Sequence, residues 1–202
     1  MQDRSSFSTG RKARQALAGL FIAAASLAAH AQDLEAGKAK AQACVACHGA
    51  DGNSVSPEFP SLAGQTWRYL YIQLRDFKEG RRSNAVMSPM AANLSRDDMI
   101  NIANWFASMP LKSTDPVASE DKLKAGKAKT DETLCTMCHL GGFLGQNEIP
   151  RLAGQRPAYL VAQLKAFKAR TRTNDAGNMT SVAQTLSEQD IDNVAAYLSS
   201  LR

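Results

Sequence analysis

Two short words, "CVACH" from Cys44 and "CTMCH" from Cys135, hold every cysteine of this 202-residue chain, and each is a Cys-x-x-Cys followed at once by His. The surrounding sequence is duplicated with them. "EAGKAKAQACVACH" from Glu35 matches "KAGKAKTDETLCTMCH" from Lys124; "FPSLAGQTWRYLYIQLRDFKEG" from Phe59 matches "IPRLAGQRPAYLVAQLKAFKAR" from Ile149; "NLSRDDMINIANWFASM" from Asn93 matches "TLSEQDIDNVAAYLSSL" from Thr185. A unit written twice at this length folds as two like domains. They cover residues 32–110 and 120–202, and the Pro-, Ser- and charge-bearing stretch 111–119 reads as the linker between them.

Each unit reads as all-α. A first helix leads into the Cys-x-x-Cys-His word; a middle helix carries Tyr69, Leu70, Leu74 and Phe77, or Tyr159, Leu160, Leu164 and Phe167; a last helix closes the unit. The last helix has the clearest start, because Ser95 with Asp98 and Ser187 with Asp190 form Ser-x-x-Asp caps. Behind the caps run stripes at helical spacing: Met99, Ile102, Ala103, Phe106 and Met109 in one copy, Ile191, Val194, Ala195, Leu198 and Leu201 in the other. No alternating strand pattern is present. Units of about 80 residues bury little surface and often need a staple.

Residues 1–31 have a different character. Arg4, Arg11, Lys12 and Arg14 precede the apolar run "LAGLFIAAASLAA", which ends in Ala29-His30-Ala31, an A-x-A cleavage pattern. This predicts a secretory signal peptide cut near Ala31 and a periplasmic protein; the run is short for a membrane span, with an uncleaved anchor as the alternative. Of the 24 Lys and Arg, four lie in this segment, as does one of the 19 Asp and Glu, so the remainder carries only about +2. A surface so nearly balanced gives no reason to expect a nucleic-acid partner.

Export permits disulfides, and four cysteines allow three pairings. A disulfide framework does not require a histidine after each pair, however, whereas covalent c-type haem attachment does. Cys44, Cys47, Cys135 and Cys138 would form thioethers to two haem c groups, and His48 and His139 would bind the irons. One zinc held between the two words is the competing reading. Export, duplication and a matching methionine in each half favour haem.

Loss of His30 with the leader leaves no spare histidine, and lysine is a poor, protonated ligand, so the sixth iron position is methionine or open. Met137 lies inside its own word on the proximal side, which leaves Met179 for the second unit. Met179 stands seven residues before Leu186-Ser187, and Met87 stands seven before Leu94-Ser95. The repeat thus selects Met87, with Met90 as the alternative.

On "CVACHGADGNS", "FPSLAGQ", "YLYIQLRDF" and "MSPMAANLS" in the first half, and "IPRLAGQ", "AYLVAQLKAFK" and "RTNDAGNM" in the second, the chain resembles the dihaem cytochrome c4 family over nearly its whole length after the leader. The resemblance implies two tandem class I cytochrome c domains, each wrapped around one covalent His/Met-ligated haem c, related by a pseudo-twofold with haem propionates near the interface. It further implies that the carbonyls of Pro60 and Pro150 orient the iron-binding histidines. The second word departs from the family pattern, with Phe143 and Leu144 where polar residues are usual; local core filling is the favoured reading, and shielding of the haem or contact with the other domain the alternative. Arg81, Arg82, Arg170 and Arg172 are read as contacts to propionates or an acidic partner, or as plain surface; Lys122, Lys124, Lys127 and Lys129 are read as a solvated face.

These features predict a non-enzymatic electron carrier that moves one electron at a time from a quinol-oxidising complex or dehydrogenase to a terminal oxidase, with peripheral membrane association left open. The alternatives are a haem subunit of a larger enzyme, such as a flavocytochrome c sulfide dehydrogenase, and a dihaem peroxidase, which needs an open iron.

Overall fold

The structure, a computed structural model, describes residues 33–112 and 118–202. The predicted leader lies outside the described residues. The first repeat contains α1 (Leu34–Ala41), a 3₁₀ turn (Gln42–Cys44), α2 (Val45–His48), α3 (Trp67–Lys78), α4 (Met87–Ala92) and α5 (Arg96–Ala107). The second contains α6 (Glu120–Glu132), a 3₁₀ turn (Cys135–Met137), α7 (Leu140–Phe143), α8 (Pro157–Lys168), α9 (Asn178–Gln184) and α10 (Glu188–Ser200). Among the described residues no strand forms beyond an isolated bridge between Gln146 and Ile149, and no helix is long and apolar enough to cross a membrane.

The helix ends follow the local chemistry. Ser95 and Ser187 each accept the N–H of the aspartate three residues on, while that aspartate accepts the serine's own N–H, so α5 and α10 both open on complete capping boxes. Thr66 caps α3, and α8 instead takes Pro157 in its first turn, where a missing N–H costs nothing. The first and last helices of each repeat cross, α1 against α5 and α6 against α10. Gly37 and Gly126 occupy the crossings: a Cβ on either would collide with the backbone carbonyl of Asn101 or Asn193, so any side chain there forces the helices apart.

The expected stripes are buried at Met99, Ile102, Ala103 and Phe106, and at Ile191, Val194, Ala195 and Leu198; Met109 and Leu201 fall beyond the helix ends and are half-buried. Three helices per repeat were expected, and each repeat has two further short segments: α2 or α7 at the histidine word, and α4 or α9, which carry Met87 and Met179. The starts of α4 and α9 are held by side chains from the preceding loop, Asn84 Oδ1 accepting the N–H groups of Val86 and Met87, and Asp175 Oδ2 accepting that of Thr180.

Between the repeats, several hydrogen bonds occur in reciprocal pairs. Gln65 accepts the Arg151 N–H at 2.7 Å and donates to the Arg151 carbonyl at 2.9 Å; Gln155 does the same to Ser61, at 2.8 and 2.9 Å. Arg82 bonds Gln73 of its own repeat and Tyr159 and Gln163 of the other, while Arg172 bonds Gln163 of its own and Tyr69 and Gln73 of the other. Such exchange of equivalents is the signature of a twofold relation.

Candidate haem sites

His48 and His139 close the two Cys-x-x-Cys-His words with rings only 5% exposed. Each turns Nδ1 to a proline carbonyl at 2.9 Å, Pro60 for His48 and Pro150 for His139. A carbonyl can only accept, so the proton sits on Nδ1 and the Nε2 lone pair is left for a metal. Burial pushes both imidazoles below their ordinary pKa, against the smaller upward pull of the proline carbonyls, which keeps them neutral as ligation requires.

The cysteines are four free thiols. Burial pushes Cys44 and Cys135 above the ordinary thiol value, so neither is primed as a nucleophile. Among the described residues no three His, Cys, Asp or Glu side chains gather to hold an ion, and the two words do not converge as a shared zinc would need. The donor set therefore fits haem: each word offers two thiols three positions apart and one neutral, pre-oriented imidazole.

Met87 is the first residue of α4 and Met179 the second of α9; both are half-buried, and Met179 packs against the second repeat's core. Met90 is 43% exposed. Phe143 is buried in the core of its own repeat, edge-on to Tyr197 with centroids 6.1 Å apart, whereas Leu144 is exposed. Local filling is thus correct for Phe143.

The arginines divide. Arg82 and Arg172 lie in the interface and stack on Phe77 and Phe167, at 4.6 and 4.4 Å to the ring centroids. Burial raises the pKa of the Tyr69 phenol, but the guanidiniums of Arg172 and Arg82 and its hydrogen bonds reverse this and hold it below the ordinary value. Arg81 is a surface residue that pairs with Asp76 at 2.8 Å and with Glu79. Lys124, Lys127 and Lys129 pair with acids along α6. Sequence reading missed the Gln65 and Gln155 clasps, although the repeated "LAGQ" was the signal.

An all-helical repeat with a Cys-x-x-Cys-His word and a carbonyl-oriented histidine in each copy defines a c-type cytochrome with two haem-binding units. The cytochrome c family model matches residues 34–110 and again 123–202. The chain is 43% identical to cytochrome c4 of Pseudomonas aeruginosa over 184 residues, covering 87% of this chain and 92% of that one. The crystal structure of reduced recombinant cytochrome c4 from Pseudomonas stutzeri superposes with a TM-score of 0.79 at 38% identity, covering 85% of this chain and 100% of that one. The thiosulfate dehydrogenase electron acceptor of Stutzerimonas stutzeri is 34% identical over 172 residues, 80% of each chain. The chain belongs to the cytochrome c4 family; it is a dihaem electron-transfer cytochrome with two covalently bound haem c groups, and its partners are redox proteins.

Proposed function

We propose that the protein is a periplasmic, non-enzymatic carrier, exported by a leader cut near Ala31 and folded as domains 32–110 and 120–202. It takes single electrons from a quinol-oxidising complex or dehydrogenase and delivers them to a terminal oxidase. Cys44 and Cys47 would hold one haem, with His48 and Met87 binding its iron, and Cys135 and Cys138 would hold the other, with His139 and Met179. The bound group supplies a reversible one-electron change at iron, and a thioether ligand favours its reduced form.

The chain's own part is positional. The observation that carries the reading is the pair of proline-carbonyl hydrogen bonds, which fix tautomer and ring orientation in both halves alike. Asn84 and Asp175 anchor the short helices that present Met87 and Met179. The test is the visible spectrum of the reduced holoprotein before and after carbon monoxide, with haem counted on the same sample. Two low-spin haems that carbon monoxide leaves unmoved are expected; a shift of one haem would expose an open iron and move the peroxidase reading to the front.

A second reading is favoured by the likeness to a thiosulfate dehydrogenase electron acceptor. In it, the chain receives electrons from a dehydrogenase that it accompanies. Co-purification of a stoichiometric dehydrogenase subunit would select it over the free carrier.

A further inference from the structure

The outer face of α3 and the start of α5 enclose a solvent-open groove of about 440 Å³ on the first repeat. Arg68 and Arg75 from α3 and Arg96 from α5 line it, with Trp67 and Tyr71 as walls. Ile72 and Ile100 form apolar floor, and Glu148 from the second repeat is its single carboxylate. Arg68 stacks on Trp67 at 5.6 Å and Arg75 on Tyr71 at 5.9 Å. Among the described residues, neither Arg68 nor Arg96 has a carboxylate in salt-bridge range; Arg75 reaches Asp76 through Nη2 at 3.4 Å, while its buried Nε has no acceptor. Trp67 is 39% exposed.

The equivalent surface of the other repeat carries different side chains. Register places Ala158, Lys165 and Glu188 where Arg68, Arg75 and Arg96 stand, and Pro157 and Val161 where Trp67 and Tyr71 stand. Lys165 is already paired with Glu188 at 2.7 Å. The first repeat thus presents three guanidiniums, two of them against aromatic rings and only Arg75 in range of a carboxylate, whereas the equivalent positions of the second hold a paired lysine and glutamate.

We propose that the groove docks an acidic segment of a redox partner protein, whose carboxylates are gripped by Arg68, Arg75 and Arg96. The proposal rests on the carrier reading, since a carrier must dock transiently with other redox proteins. Guanidiniums offer a planar fork for bidentate carboxylates, and exposed Trp, Tyr and Arg are the residues that dominate protein interfaces. The concavity favours a protein segment over a planar bilayer, which could not enter it. Because Arg68, Arg75 and Arg96 have no arginine equivalents in the second repeat, the groove makes the two ends of a near-symmetric molecule distinguishable to a partner.

The test uses the full-length holoprotein, isotope-labelled and titrated with an octaglutamate peptide at low ionic strength, with NMR reading the Trp67 indole N–H and the α3 and α5 amides. Shifts confined to that face are expected, lost at high salt and weakened about tenfold in R68E/R96E, as two exposed charge pairs would give. The exposed K124E on α6 should leave binding unchanged. Binding retained by R68E/R96E, equal weakening by K124E, inorganic phosphate reproducing the shifts, or phosphatidylglycerol vesicles moving Trp67 where the peptide does not would each overturn the proposal. Carbon monoxide spectra on the same samples keep the two readings apart, because an open iron would overturn the carrier while the titration still reports on the groove.

Discussion

The two repeats solve one packing problem with opposite choices. In the first, Gly52 and Phe106 meet beneath the loop that follows the His48 word; in the second, the same positions hold Phe143 and Leu198. A Cβ on Gly52 would lie 2.9 Å from the Phe106 ring, so the large residue sits on the closing helix and the loop yields. In the second repeat the loop supplies the bulk and the helix residue shrinks. The backbone is the same in both: the Gly52 carbonyl accepts the N–H groups of Leu62 and Ala63, and the Phe143 carbonyl those of Leu152 and Ala153. Phe143 keeps a φ of 68°, close to the 72° of Gly52, in a left-handed turn that Gly141 and Gly142 begin. The exchange teaches that the interior conserves volume and loop shape, not which element pays in volume. A second contrast lies at the interface, where buried Asp76 accepts from Arg81 and Asn174 while its counterpart is Ala166.

The largest way to break the comparison is to remove one haem at a time. C44A/C47A and C135A/C138A should each leave one haem per chain. The first repeat's contiguous buried cluster has five residues against nine in the second, so C44A/C47A should lose more helical circular dichroism. Equal losses would show that haem supports both repeats alike.

Next comes the exchanged pair itself. G52F alone should destabilise by about 3 kcal/mol through overpacking, and the double change G52F/F106L, which imports the second repeat's choice, should recover a large part. Strict additivity in a denaturant cycle would mean that the two positions are not coupled. The glutamine clasps follow. Q65A and Q155A each leave two backbone N–H groups and one carbonyl without their partner, at a cost of about 1–3 kcal/mol, and the twofold predicts matching losses. A clear inequality between their calorimetric transitions would break the symmetry.

The caps give the smallest effect. S95A and S187A should each cost about 1 kcal/mol. Hydrogen bonds from Ser95, backbone first, hold Asp98 below its ordinary carboxylate range, and those from Ser187, side chain first, do the same to Asp190. Folded values lower than unfolded ones mean this stability is complete above the unfolded carboxyl pKa and disappears as pH falls through the folded value. The penalty of S95A or S187A should therefore shrink in acid; a penalty constant down to full protonation would exclude the aspartates.

Periodicity and duplication made much of this molecule legible. Ser-x-x-Asp before an apolar stripe is local chemistry that nothing tertiary overrides, so the closing helices were readable with their buried faces. The short α4 and α9 were not, because their starts rest on Asn84 and Asp175 closing back from loops and their apolar runs are too brief for a period. The histidine words announced their chemistry in five letters, but the places of Arg82 and Arg172 depend on partners about eighty and a hundred residues away, which no window along the chain contains. Gln65 and Gln155 were hidden for the same reason: a side chain that serves the other repeat's backbone looks like an ordinary polar residue in its own.

Those clasps carry a consequence for ancestry and assembly. A patch that satisfies an identical copy of itself through a twofold is what a homodimer of single domains requires, and duplication within one chain inherits it ready-made. Tethering then replaces a concentration-dependent encounter with a permanent neighbour. What the fused chain gains is the freedom to let its halves differ, since a change on one side no longer appears on both.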